Sequence, residues 1–201
     1  ASAWNDTIRL WNIKDGVLIK TLTENTEFII SVTISQDGNT LVSEVLDGTV
    51  NLWDVNDGVR LKALDSDTQF TDHEVFASSK FTFSPDGKIL ASSSPYNETI
   101  NLWDVNDGTL TKSLTGHNNY ITCMTFSSDG STIATGALDR TVRLWRVHDG
   151  ALLQVLNVVT YDYDLGYPYS VAISPNSDIL AIGLDNGLIS LWRVSDGTLL
   201  Y

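Results

Sequence analysis

Three side chains in the middle of the sequence, His117, Thr135 and Asp139, are residue types that a hydrolase uses as base, nucleophile and orienting acid. Such a set transfers acyl groups only if the hydroxyl faces substrate beside an oxyanion hole. Two other stretches carry metal-ligand chemistry. Asp162-Tyr163-Asp164-Leu165-Gly166 resembles the start of a calcium loop, but Gly166 stands at the third oxygen position and no Glu follows at the required distance. Asp72-His73-Glu74 offers three ligand types, yet neighbours on a strand point to opposite sides and no second His is near. The P-loop, G-x-S-x-G, H-E-x-x-H and C-x-x-C patterns are missing. The expectation is therefore no catalytic residue, no metal and no cofactor.

The elements that would position these residues repeat along the chain. Trp11, Trp53, Trp103, Trp145 and Trp192 each close a short apolar strand: TIRLW, TVNLW, TINLW, TVRLW and LISLW. Their spacings are 42, 50, 42 and 47 residues. Asp-Gly follows every one, as Asp15-Gly16, Asp57-Gly58, Asp107-Gly108, Asp149-Gly150 and Asp196-Gly197. Glycine accepts positive φ without a Cβ clash, so Asp-Gly between apolar runs marks a hairpin. A second turn precedes most of the Trp strands: SQDG from Ser35, SPDG from Ser84 and SSDG from Ser127, with SPNSD from Ser174 in the last copy. Short strands ending at Ile34, Phe83, Phe126 and Ile173 come before these turns. Each period thus holds four strands, lettered a to d from the innermost outward, with no helical pattern between them.

A period of about forty residues with four strands and a Trp closing the third resembles the WD40 repeat. The resemblance covers essentially the whole chain, and the repeats look like those of regular bacterial WD-repeat arrays. The WD dipeptide is present as Trp53-Asp54 and Trp103-Asp104, and Gly-His occurs once, as Gly116-His117. The resemblance implies an all-β chain, a β-propeller of four-stranded antiparallel blades with four nearly complete blades and a partial one. The expected division is 1–22 for the partial blade, then 23–65, 66–115, 116–157 and 158–201, the whole being one segment of a longer propeller. A lone blade cannot bury both faces, so the periodic Trp, Leu and Ile/Val positions are expected to be core.

The family also implies a structural hydrogen-bonded tetrad of His, Ser/Thr, Asp and Trp. His117, Thr135, Asp139 and Trp145 match it in full, which assigns them to blade packing rather than catalysis. The Trp53 blade keeps Ser43 and Asp47 but has Asn25 at the His position. The Trp103 blade is read with Ser93 and with Asn97 for the Asp. The last blade has no clear match.

Departures from the period point to binding. About seven extra residues lie between Leu64 and Phe81, five between Leu156 and Val171, and one around Pro95, Tyr96 and Asn97. By the family's geometry all three fall in top-face loops, where insertions in repeat proteins tend to collect. The partner-binding candidates are Asp65, Asp67, Asp72, Glu74, Tyr96, Tyr161, Asp162, Tyr163, Asp164 and Tyr167. Tyr beside Asp suits Lys and Arg side chains, through charge pairing and cation–π contact.

The formal net charge is −13. It repels phosphate backbones and favours a basic protein or peptide, so no nucleic-acid partner is expected. No apolar run reaches the length of a membrane span, and no membrane partner is expected. A single cysteine, Cys123, excludes an intrachain disulfide and favours a cytoplasmic setting. The expected function is a non-enzymatic protein-interaction scaffold. The alternative is a structural or self-assembling subunit, a homo-oligomer whose open blade edge is completed by strands of another chain.

Overall fold

The computed structural model describes residues 2–4, 7–23, 28–45, 49–64, 80–93, 98–158 and 166–201. Every regular element among them is a β-strand. The chain forms two compact units, Ala1–Ser79 with Val105–Thr109, and Lys80–Asp104 with Leu110–Tyr201.

The first unit holds two sheets. One runs β1 (Ser2–Trp4), β2 (Thr7–Trp11), β3 (Leu18–Leu22); the other runs β4 (Ile29–Ile34), β5 (Thr40–Val45), β6 (Val50–Asp54), β7 (Arg60–Leu64). The second unit holds three. They are β8 (Lys80–Phe83) to β9 (Ile89–Ser93), β10 (Ile100–Asp104) and β11 (Leu110–Leu114); β12 (Ile121–Phe126) to β13 (Thr132–Ala137), β14 (Thr141–Arg146) and β15 (Leu152–Asn157); and β16 (Pro168–Ile173) to β17 (Ile179–Leu184) and β18 (Ile189–Arg193). All pairings are antiparallel, and spatial order follows chain order in each sheet. In the last sheet strand d is reduced to a bridge between Trp192 and Leu199.

Local chemistry shapes the hairpins. At the a–b turns the Ser hydroxyl donates to the Asp two residues on and accepts the N–H five residues on, as in Ser127 to Asp129 Oδ1 (2.6 Å) and Thr132 N to Ser127 Oγ (3.0 Å). The same pair of bonds recurs at Ser35 and Ser84. These bonds stand in for a backbone turn, the habit that draws Ser and Asp to such places. Ser hydrogen bonding is the chief influence holding the Asp37, Asp86 and Asp129 carboxyls below their ordinary range. At the c–d turns a bulge falls between Leu and Trp, seen at Leu10/Trp11, Leu52/Trp53, Leu102/Trp103 and Leu144/Trp145. A bulge sharpens the local twist of the hairpin.

Sheets stack within each unit through the periodic residues. In the first unit Ile8, Leu10 and Leu22 pack with Leu41 and Trp53. In the second, Ile100, Leu102 and Leu114 pack with Ile133, Trp145 and Val147. Val142, Leu144 and Leu156 likewise pack with Leu180 and Trp192. A buried indole takes about 200 Å² out of water, worth on the order of 5 kcal/mol gross at about 25 cal/mol per Å². The Trp, Leu and Ile/Val periodicity is thus the pattern of sheet-to-sheet burial.

Candidate functional site: the buried tetrad and the loop end of the sheets

Strand b brings Thr135 and strand c brings Trp145 to one level, because Ile133 pairs with Trp145 and period-two alternation returns Thr135 to the same face. The Trp145 indole N–H donates to Thr135 Oγ1 at 2.8 Å. His117, entering from the d–a connection, places Nε2 2.8 Å from that oxygen and Nδ1 2.9 Å from Asp139 Oδ2. Asp139 also accepts from Asn118 N at 3.0 Å and from the Thr141 hydroxyl at 2.7 Å. Arg143 Nη2 stands 4.0 Å from the same carboxylate. The structure therefore brings His117, Thr135, Asp139 and Trp145 together in one buried chain of hydrogen bonds.

Burial pushes the His117 imidazole below its ordinary range, against the Asp139 hydrogen bond and charge that would raise it. Burial works to raise the Asp139 carboxyl, but the bonds from Asn118, Thr141 and His117 outweigh it and leave it below its ordinary range. Neutral imidazole beside ionised carboxylate is the resulting state. Cys123 is buried and unbridged, with its thiol pushed up by burial, which makes it a poor nucleophile.

The other sheets vary the theme. Trp53 donates to Ser43 Oγ at 2.9 Å. Trp103 donates to Ser92 Oγ at 2.8 Å, not to Ser93. Ser93 instead accepts from Lys80 N at 3.3 Å. A one-residue slip along a strand reverses the face a side chain occupies, and the pairing of Trp103 with Leu90 puts Ser92 on the indole side. In the last sheet Ile182 holds this position, and Trp192 turns to Ser190 of its own strand at 2.8 Å.

The d–a connections and b–c turns lie at one end of the second unit's sheets and bond to each other. Leu138 N donates to Tyr120 O, Val158 N to Arg140 O, and Asp185 N to Tyr167 O. Tyr167 N returns a bond to Asp185 Oδ1 at 2.7 Å. The Arg140 guanidinium carbon sits 5.2 Å from the Tyr167 ring centroid, within cation–π reach. Arg140 holds φ at 63°, a left-handed conformation that Gly187 supplies in the next b–c turn. Nothing in the sequence signals this strained arginine. Of the binding candidates, Tyr167 is placed on this rim. Asp65, Asp67, Asp72, Glu74, Tyr96, Tyr161, Asp162, Tyr163 and Asp164 lie outside the described residues, as do Asn25, Asp47, His73 and Asn97.

Four-stranded antiparallel sheets stacked through a closing Trp, with a His–Thr–Asp–Trp chain between strands, define a blade of the propeller class. The family model described as "WD domain, G-beta repeat" matches residues 16–54, 66–104 and 108–146, more than half of the sequence. This chain belongs to the WD40 repeat family. It is 37% identical to Protein groucho of Drosophila melanogaster over 67 residues, 33% of this chain and 8% of that protein. It is 42% identical to WD repeat-containing protein 18 of Bos taurus over 43 residues, 21% of this chain and 10% of that protein. The matched segments thus span no more than a tenth of either relative's length.

Proposed function

We propose that this chain is a non-enzymatic scaffold that holds a protein or peptide on the loop end of its sheets. The observation that carries this reading is the rim built by Arg140, Tyr167 and Asp185. An arginine kept in a left-handed conformation, a tyrosine stacked beside it and an exposed carboxylate together present charge, an aromatic ring and hydrogen-bonding groups on one rim. Tyr and Arg are residues that carry interface energy.

The triad residue types speak for packing rather than hydrolysis. Thr135 is fully buried, and its oxygen is engaged by both Trp145 and His117. A nucleophile so enclosed cannot meet a substrate carbonyl. WD40 membership favours protein partners, and the charge of −13 favours basic ones.

The test is a panel of Lys- and Arg-rich peptides titrated against the wild-type chain, Tyr167→Ala and the double variant Asp162→Lys/Asp164→Lys. Binding should weaken at least tenfold in both variants with melting unchanged. Equal affinity across all three chains would remove the loop end as the binding surface.

A further inference from the structure

Asparagine followed by glycine occurs once in the sequence, at Asn186-Gly187. The pair lies in the turn between β17 and β18, where Asp139 and Arg140 stand between β13 and β14. Gly187 is exposed and holds φ at 87°, and a Cβ on it would meet nothing within 4 Å. Asn186 is half-buried and held at two points. A Cβ on Gly166 would come 2.8 Å from its Cγ, and its Oδ1 accepts the Leu188 N–H at 3.2 Å.

The bond from Leu188 closes an Asx turn, in which the side-chain carbonyl folds back along the main chain that follows it. A bond between Cγ and Gly187 N would complete a five-membered ring. The Leu188 N–H already points at the oxygen that gains charge when a nucleophile attacks Cγ, the role of a donor in an oxyanion hole. Gly187 N donates to Leu184 O at 3.1 Å, and opening that one bond releases the nitrogen. Asn176-Ser177, in the a–b turn of the same sheet, is a built-in comparison. There Asp178 Oδ2 holds the Asn176 amide at 2.7 Å, the Ser174 hydroxyl holds its oxygen at 2.7 Å, and the following residue carries a Cβ.

We propose that Asn186 is a self-modification site, converting to aspartate and isoaspartate by cyclisation onto Gly187 N in the folded chain. Gly187 N gives its proton to hydroxide and attacks Cγ. The N–Cγ bond forms, the Cγ–Nδ2 bond breaks, and Nδ2 leaves as ammonia with a proton taken from water. Water then opens the cyclic imide at either carbonyl. Opening at Cγ gives aspartate; opening at the backbone carbonyl gives isoaspartate, with the main chain rerouted through Cβ and Cγ. Neither step is a redox step. Both products add a negative charge beside Asp185, whose Oδ1 accepts from Tyr167 N at 2.7 Å. Isoaspartate also lengthens the turn and works against the 2.9 Å bond from Leu184 N to Leu188 O that closes it.

Incubation of the full chain at mildly alkaline pH, followed by peptide mapping with mass spectrometry, tests this, with a urea-unfolded sample as reference. In the folded chain, conversion at Asn186 should outpace conversion at Asn176. Gly187→Ala should slow it about tenfold, because the Cβ hinders close approach of the ring-forming atoms. Asn186→Gln should abolish it, and melting curves check that both variants fold. A folded wild-type chain whose Asn186 stays an amide after the unfolded reference has converted would overturn the proposal. So would earlier conversion at Asn176, or a Gly187→Ala chain that converts at the wild-type rate.

Discussion

The Trp145 indole and the His117 imidazole converge on one oxygen, Thr135 Oγ1, each at 2.8 Å. The ionised Asp139 carboxylate can only accept, so the neutral imidazole donates through Nδ1, and its Nε2 accepts the Thr135 hydroxyl hydrogen. The Thr135 oxygen thus accepts from the Trp145 indole and donates to His117, an assignment made from the hydrogen-bond network.

Thr135→Val keeps the shape of this site and removes the shared oxygen. The Trp145 N–H loses its acceptor and His117 loses its donor, both in a buried setting. At about 1–3 kcal/mol for each of the two orphaned groups, the expected loss is about 2–6 kcal/mol. Urea denaturation followed by Trp fluorescence measures it. In a Trp145→Phe background the further cost of Thr135→Val should be smaller, because the N–H that it would orphan is already gone.

The His117 shift sets a pH dependence. Its folded pKa lies below the unfolded value, so the unfolded chain binds a proton first as pH falls. The stability it contributes is fully present above its ordinary value of 6.5 and is lost as pH drops from there toward the folded value. Asp139, also lowered, holds its contribution above 3.8 and gives it up at more acid pH. The stability gap between wild type and His117→Gln should therefore narrow between about pH 7.5 and pH 5.5, read as urea midpoints. A gap that widens on acidification would contradict the assignment.

Ser177 holds φ at 60° where the other a–b turns place Gly38, Gly87 and Gly130. A left-handed non-glycine residue costs about 1–2 kcal/mol, and glycine returns part of that through its freer unfolded chain. Ser177→Gly should gain about 0.5–1 kcal/mol in thermal unfolding, even with loss of the 3.4 Å contact to Ser128 Oγ. A lower melting temperature would show that this contact outweighs the strain.

Gly16 and Gly58 share a positive φ but differ in surroundings. Gly16→Ala meets open space and should cost only the backbone strain, about 1 kcal/mol. A Cβ on Gly58 would come 2.5 Å from Lys20 Cδ, so Gly58→Ala also displaces the Lys20 ammonium from the Asn56 carbonyl that it bonds and should cost about 1 kcal/mol more. In a Lys20→Ala background that difference should shrink, and a double-mutant cycle on melting curves reads the coupling.

How far the sequence carried this reading depends on range along the chain. The strands ending at Ile34, Phe83, Phe126 and Ile173 and the Asp-Gly hairpins were legible because each is fixed by a few adjacent residues. His117, Thr135, Asp139 and Trp145 were legible only through the family pattern, since 18 residues separate the His from the Thr that it touches. Ser92 and Ser93 in a row leave the indole-facing serine undecided in the sequence until the register with Trp103 is known. The bonds from the Lys20 ammonium to Asn56 O and from the Lys62 ammonium to Asp107 O carry no local signal: a lysine on an outer strand looks like plain solvent-facing charge until the next turn is in place. Arg140 was hidden for a related reason, its backbone conformation being set by a turn that more commonly employs glycine.

Because every described strand pairs with its immediate neighbour in the chain, no sheet has to wait for a distant segment to arrive. The entropy of closing long loops, which slows most β-proteins, is largely avoided. Any of the hairpins can nucleate, and within each unit assembly can spread in either direction as each finished sheet templates the one packed on it. An interruption at one junction within a unit should then stall growth there and leave the sheets on either side able to form.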